Sequence, residues 1–115
     1  MRIPGLLLVA AGLTACGSDY GSSPSGCTPS ATQICMTAST FNPATFAVDS
    51  GTTVIWRNGS SETHTVTSDP GTPEPFNDTV APSDTFTWPF DVVGTYEYHC
   101  NLHEGMTGTL TVNSL

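Results

Sequence analysis

Seven residues in the middle of the chain, Thr52-Thr53-Val54-Ile55-Trp56-Arg57-Asn58, alternate in character and run into a Gly at position 59. Successive side chains of a strand point to opposite sides, so Val54 and Trp56 share one face and Thr53, Ile55 and Arg57 the other. Asn58-Gly59 is a turn signal. The same design recurs from Gln33 onward, as short runs of Val, Thr, Phe, Tyr and Trp broken by Gly, Pro, Asn and Asp. Strands are predicted over 33–38, 52–58, 63–68, 85–90, 95–100 and 107–112, and around Phe41 and Phe46 on either side of Asn42-Pro43-Ala44. Residues 69–82, rich in Pro, Gly, Asp and Asn, are predicted to be mostly loop. No heptad, long helical period or internal repeat competes with this pattern. The fold class is therefore all-β, a sandwich or barrel. Only about 80 residues carry the core, so burial alone leaves a thin stability margin that a crosslink or a metal would widen.

The start of the 115-residue chain reads differently. Met1 and Arg2 form a minimal positive region, and residues 3–13 are apolar but too short to span a bilayer, as in a secretory signal. The segment ends in Leu13-Thr14-Ala15-Cys16, which resembles a bacterial lipobox, where the cysteine is lipidated and becomes the new N-terminus. The alternative is an ordinary signal peptide with an incidental cysteine. A Gly/Ser/Pro-rich stretch over 17–26 follows and has almost nothing to bury. As a flexible coil it would reach about 15–20 Å root-mean-square. The predicted organisation is a lipoprotein signal peptide at 1–15, a lipid-anchored linker at 16–32 and a folded domain at 33–115. The expected location is the periplasmic or extracellular side of a membrane.

Metal chemistry concentrates near the C-terminus, in Cys100-Asn101-Leu102-His103-Glu104-Gly105-Met106. One short loop holds a thiolate, an imidazole and a thioether. His64 lies about 36 residues upstream in a predicted strand, and the four together form the donor set of a mononuclear blue-copper site. Thiolate and thioether are soft and suit Cu(I), while imidazole suits both oxidation states. Taken singly, each residue has a plainer reading: His64 as an exposed strand histidine, Met106 as core packing, Cys100 as half of a disulfide. The joint spacing carries the weight. Glu104 is an alternative axial donor to Met106, less suited by softness. His99 neighbours Cys100 on a strand, so its side chain is expected on the opposite face and not at the metal.

Export implies an oxidising compartment. With Cys16 assigned to the lipobox and Cys100 to the metal, Cys27 and Cys35 remain. A disulfide between them would pin the linker to the domain, with a chain-entropy contribution on the order of 2–3 kcal/mol. Four cysteines allow three pairings, and the sequence does not choose among them. Pairing Cys100 with Cys27 or Cys35 would destroy the metal site.

The residues also carry a family resemblance. The chain resembles the cupredoxins, the small blue-copper family that includes plastocyanin, pseudoazurin and amicyanin. The likeness covers nearly all of 33–112, through the Phe-x-Pro-x-x-Phe-x-Val pattern from Phe41 to Val48, the strand at 51–58 and the block at 94–112. The Cys-x-x-His-x-x-Met spacing is similar to the short amicyanin loop. The resemblance implies an antiparallel Greek-key β-sandwich with one copper near one end and His103 as the ligand nearest solvent. Two positions depart from the family pattern. Thr65 stands where many members have Asn, which ties the two ligand loops together; its hydroxyl could make a similar, weaker hydrogen bond. Leu102 stands where many have Pro, and unlike proline it keeps a backbone N–H. An N–H aimed at the Cys100 sulfur stabilises thiolate charge. The native reduction potential is therefore expected to exceed that of a Leu102→Pro variant, by voltammetry of the two proteins.

Charge bears on partners. The chain is −8 with two Lys or Arg residues, and loss of residues 1–15 removes Arg2 but no acid, leaving −9. Nucleic acid is excluded as a partner for such a surface. A basic redox protein, such as a cytochrome or a dehydrogenase or oxidase, suits it, with association slowing as salt is added. Acidity also serves solubility or a salty habitat. A monomer is expected. The predicted function is single-electron transfer between exported or membrane redox partners, without enzyme activity. A trinuclear oxidase cluster needs many histidines and the chain has 3; a binuclear copper centre needs two thiolates in one loop. The rival readings are a copper-binding or delivery lipoprotein, and a bare β-sandwich interaction module with a free thiol.

Overall fold

The computed structural model describes residues 26–115. The signal peptide at 1–15, the lipidation site Cys16 and the linker up to residue 25 lie outside the described residues. Among the described residues, the alternating and turn-bounded runs form nine strands: β1 (Gln33–Met36), β2 (Phe41–Asn42), β3 (Thr45–Asp49), β4 (Thr52–Asn58), β5 (His64–Ser68), β6 (Asn77–Val80), β7 (Thr85–Phe90), β8 (Gly94–His99) and β9 (Thr107–Asn113). They pack as two sheets, in the orders β2-β1-β4-β7 and β3-β9-β8-β5-β6. The fold is an all-β sandwich, as expected.

The sandwich is not wholly antiparallel. β1 pairs with β4 in parallel, and β3 pairs with β9 in parallel. The cause is that the chain leaves one sheet after β2, crosses at Asn42-Pro43-Ala44 to lay β3 in the other, and returns as β4 beside β1. A second difference falls in 69–82, where β6 pairs antiparallel with β5. Asn77, Asp78 and Thr79 are exposed and only Val80 is buried. An edge strand that buries one side chain has no hydrophobic alternation to betray it.

Val54 and Trp56 face inward and are fully buried. Trp56 is the hub of an aromatic core, with ring centroids 5.5–6.0 Å from those of Phe76, Phe86, Phe90 and Tyr98. Such pairs add to the large apolar area that each ring removes from water. Cys100 and Met106 belong to the same buried cluster, so the predicted metal loop closes one end of the core.

Cys27 and Cys35 form a disulfide, with Cα atoms 5.8 Å apart, and Cys100 is a free, buried thiol. The segment before β1 lies alongside β4. The Ile55 amide donates to the Thr32 carbonyl at 2.8 Å, and Arg57 Nε donates to the Gly26 carbonyl at 3.3 Å.

Candidate metal centre

His64 opens β5, and Cys100 directly follows β8. From there the chain turns back on itself. The Cys100 amide donates to the Met106 carbonyl at 3.0 Å, and the Met106 amide donates to the His103 carbonyl at 3.2 Å. Gly105, at φ +84°, supplies the left-handed residue that this return needs. The loop therefore presents Cys100 and His103 toward β5, and Met106 is buried in the core.

His64, Cys100 and His103 converge. The two Nδ1 atoms are 3.1 Å apart, and Cys100 Sγ lies 3.7 Å from His64 Nδ1 and 3.5 Å from His103 Nδ1. A point equidistant from the three atoms lies about 2.0 Å from each, the length of a metal–imidazole bond and a little inside a metal–thiolate bond.

The far nitrogens explain which ring atoms face inward. Glu62 Oε1 lies 2.7 Å from His103 Nε2. A carboxylate only accepts, so this nitrogen donates and leaves the Nδ1 lone pair free. Ser60 Oγ lies 3.1 Å from His64 Nε2 and gives its own proton to Asn58 Oδ1 at 2.7 Å, so it accepts from His64. Two lone pairs and a sulfur thus point at one another across a small gap. They repel unless a cation sits between them, and the donor set fits a bound metal ion.

Cys100 is poised as a thiolate. In the metal-free site a proton can take the cation's place at Nδ1: burial pushes the Cys100 thiol up, but hydrogen bonds from the Thr65 amide, the protonated His103, the Leu102 amide and His64 outweigh it and bring the pKa down to about 6. Thr65 N lies 3.3 Å from the sulfur. The Leu102 amide acts in the same direction, more weakly, as its place in the sequence suggested. His103 is raised, first by its hydrogen bond to Cys100 and then by that to Glu62. In the metal-free protein the ultraviolet thiolate absorbance should titrate with a midpoint near 6. The folded pKa lies below the unfolded one, so the thiolate's stabilisation is complete above the ordinary thiol value and is lost as pH falls through about 6. A midpoint near 9 would refute this hydrogen-bond account.

Thr65 also ties the two ligand segments. Its Oγ1 accepts from the Asn101 amide at 2.7 Å, the tie expected of Asn in the family. His99 points away from the cluster, as alternation predicts, between Asp69 and the Asn101 side-chain carbonyl. Glu104 is exposed and stands outside the converging group. His64 is fully buried, while the His103 side chain is 25% exposed, so His103 is the donor nearest solvent. Asn58, Ser60 and Glu62 were missed in the sequence. Their only signal was a polar turn run two to six residues ahead of a candidate ligand.

An all-β sandwich closed at one end by two imidazoles and a thiolate is the architecture of a small metal-carrying redox protein. A family model described as cupredoxin-like domain matches residues 6–112, and the chain belongs to that family. Plastocyanin of Scenedesmus fuscus is 33% identical over 83 residues, 63% of this chain and 85% of the relative. Among solved structures, a purple cupredoxin from Nitrosopumilus maritimus has a TM-score of 0.64 at 28% identity, covering 71% of this chain and 99% of the other. An oxidized mutant of amicyanin has a TM-score of 0.67 at 21% identity, covering 79% and 90%, a likeness of fold alone.

Proposed function

We propose that this chain carries one copper ion and shuttles single electrons between exported or membrane redox partners. His64, Cys100 and His103 would hold the ion, with Met106 as the weak axial donor. The observation that carries this reading is the convergence of two Nδ1 atoms and one Sγ on a single point at bonding distance. Copper, when bound, supplies the one-electron change between Cu(I) and Cu(II). The chain's own residues keep the donors in place through that change. The Thr65 amide and hydroxyl hold the sulfur and its loop, Ser60 holds His64, and Glu62 holds His103. Four donors leave no position for a substrate, which favours a carrier over an enzyme. The exposed edge of His103 would be the port for electrons, on a chain whose acidity suits a basic partner.

The reading extends to the start of the chain: a signal peptide at 1–15, a lipid on Cys16 and a tether over 16–32, of which residues 26–32 lie against β4, ahead of the domain at 33–115, held on the periplasmic or extracellular side of a membrane. The lipobox sequence supports it. The deciding experiment for function is a visible spectrum of the soluble domain after Cu(II), then after ascorbate. An intense blue band that bleaches on reduction and returns on oxidation is expected. A pale band, with copper nonetheless bound, would favour a copper-delivery role.

A further inference from the structure

The exposed edge of His103 is not left to water. Glu62 Oε1 accepts from its Nε2–H at 2.7 Å. This carboxylate does not hang on a loose loop. The buried Asn58 amide donates to the Glu62 carbonyl at 2.7 Å and to the Val80 carbonyl at 2.9 Å, and the Glu62 amide donates to Ser60 Oγ at 3.2 Å. Asn58 Oδ1 accepts from both the amide and the hydroxyl of Ser60. One buried side chain therefore fixes the path of the turn between β4 and β5. That turn presents two acceptors, one to each imidazole.

We propose that Glu62 is a positioning residue for the copper site, an inference that rests on the copper reading above. Its hydrogen bond holds the ring plane of the one partly exposed imidazole and draws the Nε2 proton toward the carboxylate. Nδ1 becomes a stronger donor as a result. A stronger donor favours the more highly charged Cu(II) over Cu(I), so Glu62 lowers the reduction potential. Its effect opposes the one expected of the Leu102 amide, which would stabilise charge on the sulfur. His64, fully buried, receives a neutral hydroxyl; His103, facing solvent, receives the anion. The stronger acceptor is matched to the ligand that is freer to swing out.

The test compares the native processed chain with Glu62→Gln, Glu62→Ala and Glu104→Gln. Glu62 is exposed, so its variants should fold. Glu104 carries the same charge on the ligand loop but makes no hydrogen bond to either imidazole, and it serves as the charge control. Zn(II) affinity, by chelator competition, is expected to fall about 10–100-fold in Glu62→Ala. It should fall less in Glu62→Gln, whose amide oxygen still accepts, and hold steady in Glu104→Gln. On the copper-loaded proteins the potential should rise in the same order, by about 59 mV for each tenfold by which Cu(II) loses more affinity than Cu(I). Unchanged zinc affinity and potential in Glu62→Ala would overturn the proposal. Equal shifts in Glu62→Gln and Glu104→Gln would overturn it too, since charge alone would then account for them. A native protein that never turns blue would sink the copper reading, while the zinc series would still decide on Glu62.

Discussion

Cys100→Ser is expected to abolish the blue band while leaving the sandwich folded. The band requires a thiolate, and a serine hydroxyl neither ionises at neutral pH nor donates softly to Cu(I). The substitution replaces a small buried side chain by one of similar shape, and the Thr65 amide, 3.3 Å from the sulfur, keeps an acceptor. The loss should also appear in stability. A ligand that binds only the folded state stabilises it by about 4 kcal/mol at a free concentration about 1,000 times its dissociation constant. Thermal melts with and without Cu(II) should show a gain of this order for the native protein and a much smaller one for Cys100→Ser. A blue band that survives the substitution would place the thiolate elsewhere and end the proposed assignment of the site.

The second large effect is expected where no ligand is touched. Gly108 lies on β9 directly opposite Tyr98 on β8. A Cβ at position 108 would stand 2.3 Å from Tyr98 Cζ and 2.4 Å from its hydroxyl oxygen. The glycine has no left-handed backbone to protect; what it provides is the space into which the tyrosine ring lies. The ring has little room to retreat. Tyr98 is fully buried, edge-on to Phe41 at 4.7 Å and to Trp56 at 5.5 Å. Gly108→Ala should therefore cost about 3 kcal/mol, the upper end of ordinary overpacking. The denaturant midpoint of the metal-free protein reads it directly. Tyr98 stands two residues ahead of Cys100, so the blue band of the loaded variant should also shift. In a Tyr98→Ala background most of the Gly108→Ala cost should vanish, because the pair is in contact and not additive. A cost below about 1 kcal/mol in the native background would mean that the sheet relaxes freely around the ring.

Legibility in the sequence followed the range of each force. Val54 and Trp56 were readable as sharing one face because strand alternation is local, and His99 was readable as facing away from Cys100 for the same reason. Cys100, His103 and Met106 were readable as a candidate site because a metal-binding loop would compress its donors into a fixed spacing. β6 was not, since an edge strand with one buried residue carries no pattern. The pairing of Cys27 with Cys35 stayed open because it depends on the segment before β1 folding back along β4. Thr65 was legible as a departure from the family, and the structure shows its hydroxyl making the expected tie to Asn101. Ser60 and Glu62 act at a distance in space set by the buried amide of Asn58, and nothing in their own identities announces that.

The turn between β4 and β5 has a consequence for engineering. Residues 100–106 form a contiguous cassette that carries the sulfur, the second imidazole and the thioether, and a designer would be tempted to transplant it whole into another scaffold. The cassette would travel without the Thr65 amide, without Ser60 and without the Glu62 carboxylate. A graft of this loop would import the donors and inherit its tuning from the host.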